Sequence, residues 1–112
     1  MPPPAPDNRR QHVRIKGPFD GKRISMIDTP VQIYDLSEGG CFVNSMQEQS
    51  VGREVVLEIV LPHEGPVTLT AETLYTRPGF GFAARFTHVE PHVRVKLRRQ
   101  LAQLLAQGAQ TL

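Results

Sequence analysis

The chain has 112 residues, 39% hydrophobic and 21% charged, the balance of one globular, soluble domain with a single modest core. Thirteen basic residues face eleven acidic ones, a net charge of +2 that is too weak to point to nucleic acid, and no run approaches the ~20 apolar residues of a membrane span. A lone cysteine, Cys41, excludes an internal disulfide and fits a reduced, cytoplasmic compartment, and Met1 to Asp7 lack the basic start and apolar stretch of a secretory signal.

Residues 1–8 read as a flexible Pro-rich tail and residues 9–107 as one domain. The stretch 9–17 is an arm: Arg9, Arg10, Arg14 and Lys16 crowd together with no acidic residue between Asp7 and Asp20. Only Val13 and Ile15 could be buried, so residues 1 to about 17 are expected to order around a ligand rather than alone. Asp20-Gly21 is a turn signal. Short apolar runs follow at Lys22–Ile27, Val31–Leu36 and Cys41–Asn44. Val55, Leu57, Ile59 and Leu61 alternate on one strand, Val67, Leu69 and Ala71 on the next, and Phe80, Phe82, Ala84 and Phe86 on the last. Tight breaks separate them, at Pro62–Pro66 and Arg77–Gly79 among others. The fold class is therefore all-β with one helix: a six-stranded antiparallel β-barrel followed by a C-terminal amphipathic α-helix. Pro91 opens that helix, Val93, Leu97, Leu101, Leu104 and Leu105 form its apolar stripe, Arg94, Arg98 and Gln100 lie among its polar positions, and Gly108 ends it.

Two short motifs stand out. Arg9-Arg10-Gln11-His12-Val13-Arg14 contains Arg-x-x-x-Arg, and Asp35-Leu36-Ser37-Glu38-Gly39-Gly40 fits Asp-x-Ser-x-x-Gly at a strand end. Singly, the first reads as a solvated basic face and the second as a turn that satisfies its own backbone. Together, in this order and at this separation, they resemble the PilZ family of cyclic di-GMP receptors. Gly79-Phe80-Gly81-Phe82-Ala83-Ala84-Arg85-Phe86 is similar to that family's Gly-rich last strand, and the resemblance runs from about residue 9 to residue 105.

The resemblance implies a non-enzymatic receptor whose ligand, not cofactor, is cyclic di-GMP. Its ligand-binding residues would be Arg9, Arg10, Arg14, Asp35, Ser37 and Gly40. An arginine fork matches the O6/N7 edge of guanine or a phosphate, and it also stacks on purine rings. The Asp35 carboxylate would accept from guanine N1–H and N2–H, Ser37 would bond beside it, and Gly40 would let a flat ligand approach the backbone. The residue preceding Arg-x-x-x-Arg bears on stoichiometry in such receptors. Arg9 at that position implies two intercalated ligands per chain, a third guanidinium easing the repulsion of four phosphates. Tyr75 is a possible stacking surface, or an ordinary barrel residue.

Other chemistries fit less well. Gly79-x-Gly81-x-x-Ala84 mimics a dinucleotide fingerprint but continues as a strand instead of opening a helix. His88 and His92 have no third ligand near in sequence, so no metal is expected. Cys41, His63 and Ser37 make no nucleophile arrangement. The basic helix face is solvated or a partner surface. The expected output is a signal to a separate downstream effector protein, since no output domain is attached, in motility, biofilm or related responses, with no nucleic acid and no membrane insertion. Two alternatives are a PilZ-like protein–protein adaptor that does not bind nucleotide, which would usually lack the arginines, and a small RNA-binding barrel, which would want more exposed aromatics.

Overall fold

The computed structural model describes residues 12–47 and 49–112. Six strands, β1 (Ile15–Ile24), β2 (Thr29–Leu36), β3 (Gly40–Asn44), β4 (Glu54–Leu61), β5 (Gly65–Arg77) and β6 (Gly81–His88), precede one helix, α1 (Pro91–Ala106). The strands close into an antiparallel barrel in the order β1-β2-β3-β6-β5-β4, with β4 pairing back to β1. Closure gives every strand a partner on both sides over at least part of its length, which is how so small a sheet satisfies most of its backbone groups.

The alternation read from the sequence becomes the inside and outside of this barrel. Val55, Leu57, Ile59 and Leu61 of β4 and Val67, Leu69 and Ala71 of β5 point inward and are buried, meeting Ile33, Val43 and Phe82 from the opposite wall. Burial of such branched and aromatic side chains contributes about 1.5–3 kcal/mol each before entropy is subtracted. The helix closes one side through Val93, Leu97 and Leu101.

Four expectations are corrected. Asp20-Gly21 does not turn: it lies inside β1, Asp20 pairing with Gln32 and Gly21 with both Val31 and Ile59. The first strand accordingly begins at Ile15, so residues 15–17 of the expected arm belong to the barrel. Ile15 is fully buried and outweighs the polarity of its neighbours. Phe80 lies in the turn before β6 and is exposed, so the inward row of β6 begins at Phe82. On α1 the stripe is narrower than the leucine spacing suggests, because Leu105 is exposed while Gln100 is buried. Gln100 Oε1 accepts from the amides of His63 (2.7 Å) and Glu64 (3.0 Å), which caps the β4–β5 turn and explains why an amide sits in the core.

The helix ends as expected at Gly108, which takes φ +83°. Its amide donates to the Leu105 carbonyl, and that of Ala109 reaches back to the Leu104 carbonyl. This left-handed reversal satisfies the last helical carbonyls and sends residues 109–112 back toward β1.

Candidate functional site

The site lies where the end of β2, the turn into β3 and the segment before β1 meet. Asp35 pairs with Lys16 of β1 and with Phe42 of β3, and therefore shares their outward face. It is nevertheless buried, because Arg14 covers it: Arg14 Nη2 donates to Asp35 Oδ1 at 2.9 Å, with the side chains 31% and 6% exposed. Residues that the sequence places in two separate motifs are thus brought into direct contact. His12 of the same segment lies over Gly39, whose added Cβ would stand 3.0 Å from the imidazole Cδ2.

The turn between them is closed by Ser37. Its hydroxyl oxygen accepts from the amides of Gly39 (3.2 Å) and Gly40 (3.1 Å), and its own amide donates to the Gly40 carbonyl at 2.9 Å. Ser37 thereby shapes the loop that presents Asp35. Gly40 has a different structural reason from the one expected. A Cβ there would fall on the Ala84 carbonyl oxygen, so its bare backbone is what lets β3 pair closely with β6. Arg9 and Arg10 lie outside the described residues.

Beside Asp35 an aromatic row crosses the outer wall. Tyr34 meets Phe42 edge-to-face with centroids 6.4 Å apart, and the Arg77 guanidinium lies 5.9 Å from the Phe42 centroid. Phe42 pairs with Ala83, and Ala83 with Tyr75, so Tyr75 stands on the same row, exposed and about 10 Å from Phe42 by two strand spacings. The sequence reading singled out Tyr75 but missed Tyr34, Phe42 and Arg77. The available signal was parity: Tyr34 alternates with inward Ile33, and Phe42 with inward Val43.

The electrostatics of this face are basic. Lys16, Arg14, Arg77 and Arg85 lie about the row, of which Arg14 is paired with Asp35 at 2.9 Å and Arg85 with Glu72 at 2.6 Å. Behind the wall, burial pushes the Cys41 thiol far up, with the Asp35 charge adding to the effect, so it stays protonated and serves as core. His88 pairs with Glu90 at 3.0 Å. No group of three or more metal-ligating side chains occurs among the described residues, and no described helix is long and apolar enough to cross a membrane.

The sequence matches the PilZ domain family over residues 8–105. The chain belongs to the PilZ family. Among solved structures, this PilZ domain is similar to Escherichia coli YcgR in complex with c-di-GMP (22% identity, TM-score 0.74, covering 89% of this chain and 47% of that one). It is also similar to the Bacillus subtilis inhibitor of motility MotI/DgrA (19%, TM-score 0.71, 88% and 53%) and to K. pneumonia MrkH in complex with c-di-GMP (16%, TM-score 0.74, 89% and 54%). The chain spans about half the length of each of these proteins. No curated protein sequence matches.

Proposed function

We propose that this PilZ domain is a receptor for cyclic di-GMP. The observation that carries the reading is the Arg14–Asp35 contact, which unites Arg-x-x-x-Arg with Asp-x-Ser-x-x-Gly on one outward face of the barrel. A guanidinium and a carboxylate held together there are complementary to a phosphate and to the N1–H/N2–H edge of guanine. Binding would exchange partners. Arg14 turns to a phosphate or to the O6/N7 edge of guanine, Asp35 accepts from the base, and neither charge is left unpaired in a half-buried setting. Arg9 and Arg10 complete the anion-binding set, and the Tyr34–Phe42–Arg77 row offers a flat wall beside it.

The exchange is also the signal. An arm that touches the barrel through Arg14 and His12 without ligand, and through ligand once it is bound, changes the surface offered to a separate effector protein, in motility, biofilm or related outputs. The solved complexes of YcgR and MrkH with c-di-GMP support the choice of ligand. Two ligand molecules per chain are expected from Arg9, and the cytoplasm is the expected compartment, where the buried thiol of Cys41 stays reduced. Isothermal titration with cyclic di-GMP, with GTP and cyclic di-AMP as controls, tests the reading. Heat with the first alone supports it, and no binding would leave a protein–protein adaptor as the function of the fold.

A further inference from the structure

The four residues after Gly108 add a piece of strand to the arm. β4 pairs with β1 only over Gly21–Ile24, so the N-terminal half of β1 has an open edge on that side. The chain end occupies it: Lys16 N–H donates to the Gln110 carbonyl at 2.8 Å, Leu112 N–H donates to the Arg14 carbonyl at 3.0 Å, and Ile15 and Thr111 form the antiparallel bridge between them. The tail therefore grips the main chain of Arg14 itself, whose guanidinium reaches Asp35. The helix behind the tail also reaches the other motif, since Arg98 Nε donates to Glu38 Oε1 at 2.8 Å in the Asp35–Gly40 turn. That contact is exposed and weak. The backbone bridge is the stronger tie.

We infer that residues 109–112 are a positioning strand for Arg14, holding the base of the arm so that its guanidinium stays over Asp35 before ligand arrives. The inference rests on the cyclic di-GMP reading for its effect on affinity. The gain is preorganisation: with the main chain of Arg14 fixed on two sides, by the barrel at Ile15 and by Leu112, less freedom is lost on binding. Gly108 is part of the device, because its left-handed turn aims the tail at β1.

Leu112→Pro isolates the tie. Leu112 is half-exposed, so little packing is lost, and proline removes the N–H that bonds Arg14, whereas Leu112→Ala keeps it. Two measurements on the full chain separate the ideas: amide hydrogen exchange at Lys16 without ligand, and titration with cyclic di-GMP. Leu112→Pro should speed Lys16 exchange and weaken binding about fivefold, the factor that one net hydrogen bond represents, while Leu112→Ala changes neither by as much as about twofold. Equal affinities in the two variants, or tighter binding by Leu112→Pro, would overturn the positioning role with the receptor reading intact. If the unmodified chain does not bind, the receptor reading fails instead. Lys16 exchange then decides the tether alone: faster in Leu112→Pro only, it stands, and unchanged, it falls.

Discussion

The Arg14–Asp35 pair can be taken apart by a double-mutant cycle in the ligand-free protein. An ion pair fully in water is worth about 0.2–1 kcal/mol, and a hydrogen bond to a charged group about 1.5–3 kcal/mol. Here the carboxylate is nearly buried and the guanidinium about one-third exposed at 2.9 Å, so the coupling belongs between these limits, at about 1.5 kcal/mol. Arg14→Ala alone should cost slightly more, about 2 kcal/mol, because it also leaves the Asp35 carboxylate poorly solvated. For a domain of this length that is a fall of about 8 °C in Tm, with the fold kept, since Arg14 fills no core position. Urea denaturation of the four proteins followed by far-UV circular dichroism reads the coupling, the chain having no tryptophan. Arg14→Ala should also raise the Kd for cyclic di-GMP at least tenfold, about 1.4 kcal/mol. A coupling below about 0.5 kcal/mol would mean that the pair behaves as an ordinary surface contact, and the partner-exchange mechanism would fall with it.

Asp35→Ala should lower selectivity as well as affinity, narrowing the gap between cyclic di-GMP and cyclic di-AMP in competitive titration. An unchanged gap removes Asp35 from guanine recognition. Arg9→Leu should shift the binding ratio from two ligands toward one in titrations run well above the Kd, and a ratio of one for the unmodified chain defeats the stoichiometry. Gly40→Ala should destabilise by about 2–3 kcal/mol through the clash with the Ala84 carbonyl, seen as a Tm drop of about 10 °C, and a melt like that of the unmodified protein would refute the close β3–β6 approach.

Parts of the site were legible before any coordinates. The motif residues Arg14, Asp35, Ser37 and Gly40 could be picked out because the two motifs together resemble the PilZ pattern, which implies a ligand their residue types suit. Their roles were less legible. Ser37 closes its own turn through the amides two and three residues on, as the turn reading of that motif allowed, whereas Gly40 makes room for β6 and so depends on which backbone lies opposite, which a local window does not contain. Tyr34, Phe42 and Arg77 were missed for a related reason. They come from β2, β3 and the end of β5 and become neighbours only through the strand order, although the parity of the first two was visible. Asp20-Gly21 misled because turn propensity is worth little beside two strands waiting to pair on either side.

By itself the sequence determined what period and punctuation can encode. Alternation separates the inner from the outer faces of β4 and β5, Pro91 and Gly108 bound the helix, and the two motifs together carry the resemblance to the PilZ family. These are local properties, set by side-chain direction and backbone preference over a few residues. The tertiary structure alone decided the closure of β4 onto β1, the burial of Gln100 against the β4–β5 turn, the contact of Arg14 with Asp35, and the addition of Thr111 to Ile15. Each joins segments far apart in the chain, and each forms because a buried amide, carbonyl or charge must find a partner once water is excluded, wherever along the chain that partner comes from.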